Sequence, residues 1–154
     1  MSNKSKEVVI VSAIRTPIGA YRGSLKNMKS HNLGSIVIKE VLKRSKFEKD
    51  EVDEVIMGQV LTAGAGQNPA RQAAINAGIP ISKPAHIVNQ VCGSGLRAVI
   101  SGYQSIKLGE ANNVISGGQE NMSLAPHSIF YRDNKKILEK HLIDTMINDG
   151  LIDA

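Results

Sequence analysis

The sequence predicts an α/β fold of the order βαβαβαβ, with a mostly parallel sheet layered with helices. Three observations predict it. Short apolar runs at residues 8–11, 54–59, 86–91 and 114–115 alternate with stretches of helical period. Gly- and Pro-punctuated loops separate them, and strands that alternate with helices join in parallel through crossovers of one hand. The chain of 154 residues, 42% apolar and 21% charged, is long enough to bury a core of its own.

Each element has a local reason. Val8-Val9-Ile10-Val11 is continuously apolar and β-branched, as expected of a strand covered on both faces. A loop over residues 15–30 follows. A helix is predicted over residues 33–45, with Leu33, Ile36, Val37, Val41 and Leu42 on one side. The second strand is residues 54–59. After a Gly-rich loop at 63–66, Asn68-Pro69 reads as an N-cap followed by Pro at the first helical position, and Gly78 ends that helix. Residues 86–91 form the third strand. A helix then runs to Leu108, with Leu96, Val99, Ile100, Tyr103 and Ile106 as an apolar stripe and Gly109 as its stop. Val114-Ile115 opens a fourth strand that ends in Ser116-Gly117-Gly118. Beyond it, residues 119–132 have no clean period, and residues 135–148 read as a modest amphipathic helix. The boundary expected from this break divides 1–118 from 119–154.

Composition narrows the function. Only 3% of residues are aromatic and there is no Trp, which argues against stacking single-stranded nucleic acid. The net charge of +5 comes from dispersed Lys, an ordinary solvated surface that would weakly attract an anionic ligand. A single cysteine excludes an internal disulfide and a multi-Cys zinc site, and it suits a reducing compartment. No metal site is expected. The polar start lacks the apolar core of a signal peptide, and no apolar run nears the about 20 residues a bilayer requires. The expectation is a cytoplasmic protein with no membrane or nucleic-acid partner.

Cys92 is the candidate nucleophile. It falls at a strand-to-helix turn with Gly93 and Gly95 just after it. Glycine permits a tight turn that projects the side chain. A helix N-terminus would favour the thiolate, and its free N–H groups could receive an oxyanion on an attacked carbonyl. Two other readings stay open on geometry alone. A free cysteine is often a small buried hydrophobe. The Gly-rich turn could also cradle a phosphate, although Gly93-Ser94-Gly95 lacks P-loop spacing and its Lys.

The longer string Asn89-Gln90-Val91-Cys92-Gly93-Ser94-Gly95-Leu96-Arg97-Ala98-Val99 closely resembles the nucleophile segment of thiolases. Further segments agree in order: Ser12-Ala13-Ile14-Arg15-Thr16-Pro17-Ile18-Gly19, Gly66-Gln67-Asn68-Pro69-Ala70-Arg71-Gln72, Gln119-Glu120-Asn121-Met122-Ser123, and Ile143-Asp144-Thr145-Met146. Gln119 departs from the family, which usually has Met there. The resemblance covers nearly the whole chain and favours the acetoacetyl-CoA type.

The resemblance implies the N-terminal half of the thiolase fold, ending within an inserted loop domain that begins near residue 119. It implies that Cys92 takes an acetyl group from acetyl-CoA as a thioester, for Claisen condensation to acetoacetyl-CoA or the reverse thiolysis. Coenzyme A thioesters are then substrates, with no permanently bound cofactor, and a homo-oligomer (dimer or tetramer) is expected. The family's activating histidine and second catalytic cysteine match no residue of this chain. None of His31, His86, His127 and His141 matches a family catalytic histidine, and each is read as structural or surface. Arg15 reads as a loop anchor, Asn68 and Arg71 as cap and orienting groups, and Glu120 as a structural hydrogen-bonding group. The competing expectation is a catalytically inactive fragment acting at most as an oligomerisation module. A ketoacyl synthase is a weaker third reading, against which the several matching segments argue.

Overall fold

The computed structural model describes residues 7–132 and 141–153. Its centre is a three-stranded parallel sheet in the order β2-β1-β3, where β1 is Glu54–Gly58, β2 is Ala85–Val88 and β3 is Val114–Gly118. Val55 pairs with Ala85 on one side and Ile115 on the other. From Val55 to Gly58 the central strand is buried, which is why it reads as an unbroken run.

Helices cover both faces of this sheet. Helix α1 (Ser30–Ser45) and helix α2 (Pro69–Ala77) pack on the face carrying Val55, Met57, Ala85, Ile87 and Ile115. Helix α3 (Ser94–Leu108) lies on the other, against Glu54, Gly58, Val114 and Ser116. The chain passes from β1 to β2 by α2, then crosses β1 to β3 by α3. Reversing direction while keeping one crossover hand requires the second helix on the opposite face, as observed.

The core is built close. Ala70, Ala73, Ala74 and Ala77 on α2 are fully buried and meet α1 at Gly34, Ile38 and Leu42. Asn68 caps α2 by accepting from the Arg71 N–H (3.1 Å), and its amide donates to Ala85 O (2.8 Å). The Arg71 guanidinium donates to the carbonyls of Lys83 and Ile81. Both residues therefore cap and orient α2, as expected. At the N-terminal ends of the strands, the Asp53 carboxylate accepts from Asn112 (2.7 Å) and Asn113 (3.1 Å). Those two N–H groups hold its carboxyl below the usual carboxylate range.

Several expectations change. Residues 8–11 form no strand, and Val9, Ile10 and Val11 are exposed. A strand exists only through a ladder partner, and none of the described residues pairs with them. Helix α1 starts three residues earlier than predicted, and its buried face holds His31, Gly34, Ser35, Ile38 and Leu42 while Ile36 is exposed. On α3 the buried stripe is Ser94, Ala98, Gly102 and Ser105, and the larger residues Leu96, Val99, Ile100 and Tyr103 face outward. Strand β2 ends at Val88 because the chain turns away to reach α3.

Of the helix predicted at 135–148, residues 135–140 lie outside the described residues. The remainder holds strand β5 (Ile143–Asp144), antiparallel to β4 (His127–Ser128), and a short helix α4 (Thr145–Gly150). The Asp144 side chain caps α4 by accepting from the Met146 N–H (2.9 Å).

Candidate active site

Cys92 is an exposed free thiol between β2 and α3, at the carboxyl end of the sheet. The turn that presents it contains an unusual backbone. Val91 has φ 47°, a left-handed conformation that a β-branched residue rarely adopts. Strain of this kind costs on the order of 1–3 kcal/mol and persists only where the surroundings hold it.

Two side chains hold it. The Asn89 carbonyl oxygen accepts from the Val91 N–H (3.0 Å). The Ser94 hydroxyl, almost fully buried, accepts from the Gln90 N–H (2.8 Å) and donates to Val91 O (2.6 Å). Backbone bonds from Gly93 N–H to Gln90 O (3.0 Å) and from Ser94 N–H to Val91 O (3.1 Å) close the turn. Cys92 is thus lifted clear of a rigid frame, and the buried-hydrophobe reading of this cysteine is set aside by its exposure.

Glycines let the frame sit directly on the sheet. A Cβ on Gly58 would lie 2.4 Å from the Ser94 carbonyl carbon and 2.5 Å from Gly95 N. Gly118 approaches Gly95 from the neighbouring strand, where an added Cβ would stand 3.5 Å from the Gly95 Cα. The start of α3 therefore lies over the ends of β1 and β3. Sequence reasoning valued Gly93 and Gly95 for the turn, but missed Ser94 and Gly58. A hydroxyl two residues after the cysteine, on the first residue of the helix, was the available signal for Ser94.

Behind the turn lies a polar cluster. The Glu120 carboxylate accepts from Val60 N–H (2.7 Å) and Leu61 N–H (3.3 Å) where the chain leaves β1. Burial pushes its carboxyl above the usual range, and the backbone N–H bonds oppose that rise without cancelling it. The buried amide of Gln119 donates to Gln59 Oε1 (2.9 Å), and Gln59 donates to Leu61 O (2.8 Å). Among the described residues the Gln119 Oε1 has no hydrogen-bond partner.

The remaining sequence candidates fall elsewhere. His86 faces Glu54 (3.2 Å) and His127 faces Asp144 (3.8 Å). His31 is buried at the start of α1, where burial and the Lys29 charge lower its pKa. His141 is exposed. Among the described residues no histidine bonds to the Cys92 sulfur, and no three His, Cys, Asp or Glu side chains gather as metal ligands. Arg15 is exposed and, among the described residues, donates to the adjacent Thr16 O (3.3 Å), so its expected anchoring role is seen there as a local bond. No helix of the described residues is long and apolar enough to cross a membrane.

The N-terminal domain of thiolase matches residues 8–154. This chain belongs to the thiolase family. It is 52% identical over 148 residues to an acetyl-CoA acetyltransferase of Paracoccus denitrificans, covering 96% of this chain and 38% of that protein. Against the cytosolic acetyl-CoA acetyltransferase of Rattus norvegicus the identity is 53% over 154 residues, or 39% of that enzyme. The crystal structure of the Acat5 thiolase of Ascaris suum in complex with coenzyme A superposes with a TM-score of 0.92 at 40% identity. That match covers 97% of this chain and 39% of the Acat5 chain. The parallel sheet and its helices are thus the thiolase N-terminal fold, and this thiolase chain spans about two fifths of the length of its relatives.

Proposed function

We propose that this chain supplies the nucleophile of an acetyl-CoA acetyltransferase, with Cys92 as the residue that carries the acetyl group. The observation that supports it is the exposed Cys92 at a strained, fully braced turn opening α3. The thiolate attacks the thioester carbonyl carbon of acetyl-CoA, and a Cys92–acetyl bond forms as the bond to the coenzyme A sulfur breaks. Coenzyme A leaves as a thiolate and takes up a proton. The exchange is one thioester for another, so no redox partner is needed. N–H groups at the start of α3 are suited to the developing oxyanion.

In the second half-reaction, another acetyl-CoA loses an α-proton and its enolate carbon bonds to the Cys92 thioester carbonyl carbon. The bond to the Cys92 sulfur breaks, acetoacetyl-CoA forms and the Cys92 thiolate is released, and thiolysis is the reverse. The proton transfers of both steps fall to a histidine and a second cysteine in the family, and neither matches a residue here. In this reading residues 1–118 are the N-terminal half-domain and 119–154 begin the inserted loop domain. Coenzyme A thioesters are substrates rather than resident cofactors, the working form is a cytoplasmic homo-oligomer, and the relatives' names support the substrate class.

Complementation tests this. Co-expression with the remaining C-terminal segment of the Paracoccus relative is expected to restore acetoacetyl-CoA thiolysis. Peptide mapping after brief acetyl-CoA exposure should place the acetyl group on Cys92 and not on Cys92→Ser. Activity that survives Cys92→Ser would sink the assignment. A second reading, an inactive oligomerisation module, is favoured by the exposed apolar side of α3. It predicts no turnover in any complemented pair.

A further inference from the structure

The frame around Cys92 is tied to a side chain on the far side of the sheet end. Glu120 follows β3, and its carboxylate accepts from the Val60 N–H (2.7 Å) and the Leu61 N–H (3.3 Å). The carbonyl of the same Val60 accepts from the Asn89 amide at 3.4 Å. That amide's oxygen in turn accepts from the Val91 N–H at 3.0 Å. Val91 is the residue with φ 47°, immediately before Cys92. Three chain segments, each leaving a different strand, are thereby joined in series from a partly buried carboxylate to the backbone that aims the sulfur.

We propose that Glu120 is a positioning residue for Cys92, acting through Val60 and Asn89 to hold the left-handed turn at Val91. The physical reason is that one N–H bond on an exposed asparagine does not by itself fix a strained residue. Asn89 is exposed, so its orientation depends on what its amide end grips. Val60 O offers a fixed grip because the carboxylate pins the N–H groups on either side of its carbonyl, adding to the Gln59 bonds that hold the same segment. A charge-assisted bond to backbone N–H is about twice as strong as a neutral one, which suits Glu at this place. Ser94 braces the same turn from the helix side, so loss of Glu120 is expected to loosen the turn rather than unfold it.

The proposal rests on the reading of Cys92 as the nucleophile, but its test does not use acetyl transfer. The full chain is alkylated with iodoacetamide below its unfolding transition and again in denaturing urea, and the ratio of the two Cys92 rates is taken. A ratio different from one measures how far the turn distinguishes this thiol from an unstructured one. In Glu120→Ala and in Asn89→Ala the ratio is expected to collapse toward one. Glu120→Gln, which keeps an acceptor for Val60, should recover most of it. The double variant should be no worse than either single one, because both lie on one relay. Asp53→Ala removes a comparable carboxylate from the opposite ends of the strands and should leave the ratio unchanged. Should Glu120→Ala fail to fold, Glu120→Asp takes its place, because the shorter side chain withdraws the carboxylate from the Val60 N–H and should lower the ratio.

Four results overturn the proposal: a wild-type ratio of one, a ratio unchanged in the Glu120 variant that removes its bond to Val60, a ratio unchanged in Asn89→Ala, or additive losses in the double variant. Failure of Cys92 to take an acetyl group would leave these rates as they are, so the two readings fail separately.

Discussion

Gln119 shows what a single residue can cost and contribute. Its buried amide donates to Gln59, while its own oxygen, set against Gly34, has no partner among the described residues. Gln59→Met would strip the Gln119 amide of its remaining bond, and a loss of about 1–3 kcal/mol is expected. Gln119→Met removes the orphaned oxygen and leaves only Gln59 Oε1 unpaired, so it should cost less. Urea melts of the two variants check the order, and the reverse order would mean that an unobserved partner satisfies Gln119. Glu120 makes a pH prediction. Its folded-state pKa is raised above the usual 4.5, so the folded chain binds the proton more tightly than the unfolded one. Its contribution is full below 4.5 and is lost as pH rises through the raised value. Glu120→Gln should flatten that part of the stability profile, and thermal melts across this window in both proteins measure it.

At the scale of elements, the seating of α3 on the sheet governs the site. Gly58 meets the backbone of Ser94 and Gly95, which cannot swing aside as a side-chain end can. Gly58→Ala is expected to destabilise by roughly 1–3 kcal/mol or more and to displace the Cys92 turn. Gly109→Ala provides the contrast. Nothing lies near an added Cβ there, and the cost is that of the left-handed φ of 80° alone, about 1 kcal/mol. Chemical denaturation separates them, and equal losses would show that the close approach at Gly58 is relieved by movement of the helix. The small-residue stripe Ser94, Ala98, Gly102 and Ser105 serves the same end, since it brings the helix backbone down onto β1 and β3.

At the scale of the molecule, the apolar surfaces left uncovered among the described residues include two that matter for association. One is the outer side of α3, with Leu96 at 69% and Tyr103 at 49% exposure. The other is Val9, Ile10 and Val11. Surfaces of this kind promote association. The isolated chain is therefore expected to sediment as an oligomer or to precipitate, and Leu96→Lys with Tyr103→Lys should shift it toward monomer. A monodisperse wild-type monomer with one cooperative melt would contradict this.

Much of the architecture was legible in the chain itself. The buried run at β1, the Asn68-Pro69 start of α2 and the Gly109 stop of α3 depend on local propensity and pattern, which travel with the residues. The string around Cys92 also pointed to the family before any fold was known. Tertiary structure decided the rest. Residues 8–11 have every local property of a strand, yet strand formation needs a partner that local sequence does not encode. The apolar period of α3 predicts burial of its large residues, but close approach to the sheet buries the small ones and turns the large ones out. The partners of Asn89 and Glu120 were not legible, because Asn89 reaches the Val60 carbonyl and Glu120 the Val60 and Leu61 N–H groups only once the ends of three strands lie side by side. Sequence alone thus determined that Cys92 opens a helix after a strand. Only the folded chain determined how the turn beside it is held, because Asn89 and Ser94 brace the strained Val91 while Gly58 and Gly118 seat the start of α3 on distant strands.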